Sequence, residues 1–96
     1  MGTNYYMVVG DEKVHIGKAS VGHAFLFNGQ LYDTVDKWKL ALKMYGIIED
    51  EYGKEIPTSE FLRIIERNRD IDSAERQMLP GFYRTNGYYF YDGEFS

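Results

Sequence analysis

From Val14 to Phe25 the chain reads Val-His-Ile-Gly-Lys-Ala-Ser-Val-Gly-His-Ala-Phe, and this stretch restricts the possible folds more than any other. β-Branched and aromatic residues at both ends favour extended backbone, and two glycines interrupt them. The pattern predicts a strand, a tight Gly-rich bend and a second strand. The chain must then organise a sheet around its first quarter, with His15, Lys18, Ser20 and His23 close to the bend.

The flanking sequence agrees with a sheet. Thr3 to Val9 alternates as a strand does, with Tyr5, Met7 and Val9 on one face and Tyr6 and Val8 on the other. Gly10 to Lys13 reads as a turn, and Val14 to Gly17 as an antiparallel return with His15 facing away from Val14 and Ile16. The almost unbroken apolar run from Val21 to Phe27 suits a central strand covered on both faces. Asn28-Gly29-Gln30 ends it.

Two helices follow. Asp33 or Thr34 can cap the first, which runs through Tyr45 to a left-handed stop at Gly46. At about 100° per residue, Val35, Trp38, Ala41, Leu42 and Tyr45 form its apolar face. Leu40 and Met44 lie opposite. Either the C-terminal segment covers them or they form an apolar spot for a partner or a second copy of the chain. Residues 47–56 read as a short strand, a Gly-Lys turn and a short return. Thr58 then begins a second helix with Glu60 in its first turn, a buried stripe of Phe61, Ile64 and Ile65 flanked by Leu62, and an end near 68–70. Asp72 to Glu75 has capping-box spacing for a further short helix. Phe82 to Thr85, Asn86-Gly87 and Tyr88 to Tyr91 read as a type I′ hairpin, with a second turn at Asp92-Gly93. The expected architecture is α+β: one domain, residues 1–96, with an antiparallel sheet of N-terminal strands and Tyr-rich C-terminal hairpin, covered by two main helices.

Composition narrows the chemistry. The chain has no cysteine, so disulfides, thiolate zinc sites and thiol nucleophiles are excluded. No apolar run reaches the roughly 18 residues of a membrane span, and the first residues lack a signal pattern, so a cytoplasmic protein is expected. The net charge of −4 disfavours non-specific binding to nucleic acid. The charge is uneven: five lysines against four acids up to residue 48, then eleven acids against six bases. An anionic ligand sits more comfortably on the first half.

Established motifs do not close around Lys18. A Walker A loop needs a glycine where Glu12 stands and a Ser or Thr at Ala19. What survives is a simpler arrangement, in which backbone amides from Ala19 to Gly22 cradle one phosphate beside Lys18 and Ser20. His15 and His23 with Glu49, Asp50 or Glu51 are the only ligand set for a metal, and nothing in the spacing fixes it, so no metal or other cofactor is expected. The three acids themselves read as a solvated strand edge. Ser20 lacks the nucleophile-elbow signature, and a His-carboxylate hydrolase ranks last. Nine tyrosines among 96 residues serve either as core area with a polar tip or as stacking surface.

Four patches carry a resemblance: Met1 to Tyr6, His15 to Lys18 with Ala19-Ser20, Ile48 to Gly53, and Gly93 to Ser96. In order and spread they resemble a family of small bacteriophage proteins, mostly of uncharacterised function, which begin Met-Gly-Thr-Asn-Tyr-Tyr and end Gly-Glu-Phe-Ser. Family members usually carry a Cys-x-x-Cys pair before the His-Ile-Gly-Lys stretch and a Trp-Cys after it. Here Gly10 to Lys13 and His23-Ala24 occupy those places, so any metal knuckle of the family is missing, and the middle of the second half is shorter. The resemblance implies a phage accessory protein in the bacterial host cell that acts by binding host machinery or a defence signal.

The leading expectation is therefore a non-enzymatic binding protein for a nucleotide-like anion, with Lys18 and Ser20 for the anion, His15 and His23 beside them, and Tyr5, Tyr6 and Tyr52 to stack a base. The alternative is a protein inhibitor, similar in action to an anti-CRISPR factor, meeting a host protein through Leu40 and Met44 or through Glu49, Asp50 and Glu51.

Overall fold

The structure, a computed structural model, describes residues 2–20, 24–30, 32, 34–67, 81–85 and 88–91. Val21-Gly22-His23 at the start of the expected central strand, the expected short helix after Asp72, and the expected turns at Asn86-Gly87 and Asp92-Gly93 lie outside the described residues.

The N-terminal alternation gives β1, Gly2–Val9, and its return β2, Glu12–Ser20, joined at Gly10-Asp11 with Gly10 at φ +60°. Tyr6 pairs with His15 but Tyr5 pairs with Gly17, so Ile16 is an extra residue, a β-bulge. The bulge resets the alternation. Val14 and Ile16 before it, and Ala19 after it, all join the main core. His15 and Lys18 are consequently placed together on the opposite face.

This overturns the expected bend at Gly17-Lys18: β2 runs straight through both residues to Ser20. The bulge absorbs the irregularity that the glycine signals, and the ladder with β1 continues to Gly2↔Ser20. Ala19 and Ser20 are extended and paired with β1, and Val21 and Gly22, the rest of the expected amide cradle, lie outside the described residues.

The next strand is shorter than the apolar run suggested. β3 is Leu26–Asn28, and the run is nonetheless buried on both sides, with Phe25 and Phe27 in the main core and Ala24 and Leu26 in a second cluster with Tyr89. The first helix, α1, spans Val35–Tyr45. Thr34 Oγ1 accepts from the Lys37 amide at 3.3 Å, and the Gly46 amide, at φ +75°, donates to Leu42 O at 2.7 Å. Val35, Trp38, Ala41 and Leu42 are buried as the helical period requires, but Tyr45 is exposed, because the last turn before the Gly46 cap lies at the rim of the packed face.

The acidic segment gives β4, Ile48–Asp50, and β5, Glu55–Ile56, with Gly53 at φ +82° between them. The second helix, α2, spans Thr58–Glu66 and stops earlier than expected, with extended backbone already at Arg67. It buries Phe61, Ile64 and Ile65, while Leu62 is on the exposed side of its flank. The C-terminal hairpin is β6, Phe82–Thr85, and β7, Tyr88–Tyr91.

Among the described residues seven strands form one sheet in the order β5-β4-β1-β2-β3-β7-β6. The fold is α+β, but the sheet is mixed rather than antiparallel, since β3 and β7 run parallel with Phe27 opposite Phe90. Parallel neighbours need a long crossover, and the chain from Gly29 through both helices and the β4–β5 hairpin provides one. Both helices contribute to a single core with the inward residues of the strands. Aromatic rings dominate it. Phe25 meets Phe61 edge-on at 5.6 Å, and Phe90 stacks between Phe27 at 5.2 Å and Tyr83 at 5.3 Å. The Tyr88 hydroxyl donates to the Glu66 carboxylate, tying the end of α2 to β7. No helix among the described residues is long and apolar enough to cross a membrane.

Candidate ligand-binding face

Helices cover one face of the sheet, and alternation sends a second set of side chains to the other. Strand register arranges these in two rows. One row runs through Glu55, Glu49, Tyr6 and His15; the other runs through Asn4, Lys18, Leu26 and Tyr89. Without the bulge at Ile16 and Gly17, His15 and Lys18 would lie on opposite faces, since three residues separate them. The bulge is what brings the two together.

Their contacts make a compact polar group. His15 Nε2 lies 3.0 Å from Asn4 Oδ1, and the rings of Tyr6 and His15 are 5.2 Å apart and tilted by 36°. Asn28 donates its side-chain amide to His15 O at 3.1 Å, fixing the backbone under the histidine. His15 is half-buried, and this burial lowers its pKa below the ordinary value, opposed in part by a hydrogen bond with the backbone of Gly17. The imidazole is therefore uncharged at neutral pH. Asn4 and Lys18 are directly paired across the ladder, next to the Tyr6–His15 pair.

Other candidate residues fall elsewhere. Tyr5 turns to the helix side, where its ring lies 5.4 Å from Phe61 and 6.1 Å from Phe25. Its hydroxyl pKa is raised, first by burial and then by the charge of Asp50. It does not share a surface with Tyr6. Tyr52 is 80% exposed in the β4–β5 turn. Ser20 closes β2, and His23 lies outside the described residues.

The three acids do not act as a unit. Glu49 forms an ion pair with Lys13 at 2.8 Å, which raises the lysine pKa through the hydrogen bond and then the charge. Asp50 Oδ1 accepts from the amides of Tyr52 and Lys54, both at 2.9 Å, and so builds the turn. Glu51 Oε1 accepts from the Asn4 amide at 3.0 Å. Among the described residues no group of three His, Asp or Glu converges as a metal site would require. Leu40 and Met44 on α1 are 61% and 70% exposed.

Sequence reasoning missed Asn4 and Asn28, the two amides that hold His15. An asparagine inside a strand pattern is unfavourable enough to flag, as at Asn4, whereas Asn28 reads only as the end of a strand. Comparison of the chain with models of known families, with curated proteins and with solved structures gives no match in any of the three.

Proposed function

We propose that this protein is a small bacteriophage accessory protein that counters host defence by binding, and that the sheet face away from α1 and α2 takes a nucleotide-like anion. The observation that carries the binding reading is the grouping of Tyr6, His15, Asn4 and Lys18 on that face, built by a bulge and held by side-chain amides. The tilted Tyr6–His15 pair offers aromatic surface for a base, and base–aromatic stacking contributes about 1–3 kcal/mol. Lys18 supplies a cation one row away, and among the described residues no carboxylate is paired with it. Strand-borne groups are held more rigidly than loop-borne ones, which lowers the ordering cost of binding. The phage origin rests on the four sequence patches at both ends and in the middle of the chain.

Isothermal titration with a panel of cyclic and linear nucleotides tests the reading. Heat with at least one member, abolished by Lys18→Glu in a variant that melts at the wild-type temperature, is the expected result. No heat with any member, and no shift in melting temperature, removes the nucleotide reading.

A second reading is favoured by Leu40 and Met44, exposed four residues apart on α1 and flanked by Lys37 and Lys43. These side chains suit a protein inhibitor that meets an apolar host surface. Capture of a stoichiometric host protein that Leu40→Asp abolishes supports it; capture unaffected by that change places the contact elsewhere.

A further inference from the structure

We infer that two copies of this chain pair through the outward side of α1, antiparallel about a two-fold axis at Leu40, with Asp36 of each copy meeting Lys43 of the other. The pairing is independent of the ligand reading above, because α1 packs on the opposite side of the sheet from the Tyr6 and His15 group.

Asp36 and Lys43 each have a reason to stand where they do without any partner, since a carboxylate suits the first turn of a helix and an ammonium the last. The helix dipole does not account for what lies between them. Leu40 and Met44 are 61% and 70% exposed, opposite the buried Val35, Trp38, Ala41 and Leu42. One turn apart on the same side, they form a joined apolar spot rather than scattered single side chains, and a spot of this kind marks a contact surface.

The charges around the spot are arranged to fit a second copy. At about 100° per residue, Asp36 and Lys43 stand about 40° and about 60° to one side of Leu40, and Met44 and Lys37 about 40° and about 60° to the other. At about 1.5 Å of rise per residue, Asp36 and Lys37 precede Leu40 by about 6 Å and about 4.5 Å, and Lys43 and Met44 follow it by about 4.5 Å and about 6 Å. An antiparallel two-fold axis through Leu40 sets each flank against the same flank of the copy and reverses the order along the helix. Leu40 then meets its own copy. Asp36 meets Lys43, and Met44 lies against the methylene stem of Lys37, each with an axial offset of about 1.5 Å. Because every contact occurs twice, one axis satisfies them all, as an isologous interface requires. All five side chains are exposed, and among the described residues no ion pair engages Asp36 or Lys43.

A parallel pair fits less well. It sets Asp36 beside Lys37 but leaves Lys43 against Met44 with no carboxylate, and it places like ends of the two helix dipoles side by side. The interface is small: one side of an 11-residue helix falls short of the roughly 1,200 Å² of a stable specific complex, so the dimer fills only at high concentration. A host protein that uses Leu40 and Met44 would have to displace the copy.

Sedimentation equilibrium of the full chain up to about 1 mM tests the pairing. The expected result is a monomer–dimer equilibrium, weakened at least about tenfold by Leu40→Asp, which opposes two carboxylates on the axis. Asp36→Lys and Lys43→Glu should each weaken self-association as well, since each opposes like charges at both ion pairs. Mixed in equal amounts, those two variants should associate again, because each chain supplies the charge that its partner lacks. A monomer at every concentration overturns the inference, as does a dimer that Leu40→Asp leaves intact. Lys43→Glu that associates like wild type, or a mixture no stronger than its components, overturns the antiparallel axis. Melting curves of each variant separate loss of pairing from loss of fold.

Discussion

Gly17 lies directly against the Phe25 ring: a Cβ built on the glycine would stand 2.6 Å from Phe25 Cε2 and would also collide with the Leu26 carbonyl. The glycine thus lets β3 approach β2 at the bulge. Its role is close approach rather than a turn, since its backbone is an ordinary strand position in the ladder.

Gly17→Ala should accordingly be strongly destabilising for so small a change. One collision is with backbone, which cannot swing aside, and overpacking of this kind costs about 1–3 kcal/mol or more. Urea unfolding of the purified variant measures it. A midpoint equal to wild type would mean that β2 and β3 can separate freely. The same substitution should disturb the Tyr6, His15 and Lys18 grouping, because the bulge that creates it sits at this residue.

His15 gives the protein a pH dependence of predictable sign. Burial is the larger influence and lowers the pKa in the folded chain, against the ordinary value near 6.5, with the Gly17 backbone hydrogen bond opposing it. As pH falls below about 6.5 the unfolded chain takes up the proton before the folded chain does. Stability from this residue is complete above that pH and is lost as pH falls toward the lowered folded-state value. His15→Gln should therefore flatten the decline in stability between about pH 7.5 and about pH 5.5, measured by urea unfolding at each pH. A slope unchanged by the substitution would assign the decline to other groups.

Much of the fold is legible in the sequence wherever local chemistry decides it. Thr34 and Gly46 bracket α1 because a hydroxyl and a left-handed glycine are what helix ends require. The Tyr5/Tyr6 alternation is equally local. The bulge is not legible, because it is a slip in the register of β2 against β1 and shows only once both strands are paired, and so the sequence suggests a bend there. The parallel pairing of Phe27 with Phe90 is likewise a product of the whole chain's path. For the candidate site the consequence is mixed. Residue type nominated Tyr6, His15 and Lys18, and alternation already set Tyr5 on the other face from Tyr6, whereas only register could bring Lys18 beside His15 and recruit Asn4 and Asn28.

The Thr34 cap can be removed cleanly. Its hydroxyl accepts from the Lys37 amide and its backbone is extended, at φ −137° and ψ 154°. Thr34→Ala leaves that amide to water and should cost about 1 kcal/mol. Thr34→Ser should recover most of the loss. If alanine and serine behave alike, the hydrogen bond contributes nothing to the helix.

Trp38 couples α1 to the sheet in a way one substitution can separate. It is fully buried, its ring meets Tyr32 edge-on at 4.9 Å, and its Nε1 donates to Asn28 O at 3.1 Å. The same Asn28 holds the backbone of His15 through its side chain, so one residue links the helix to the candidate site. Trp38→Phe keeps an aromatic ring but removes the donor and some volume, and should cost about 2–4 kcal/mol from the unpaired carbonyl and the cavity together. Thermal unfolding followed by far-ultraviolet circular dichroism measures the loss, because Trp38 is the chain's one tryptophan and the variant has no indole fluorescence. If the link through Asn28 is real, amide exchange at His15 and Gly17 should quicken more than the global loss of stability accounts for. Equal acceleration at all slowly exchanging amides would reduce Trp38 to a core residue without influence on the site.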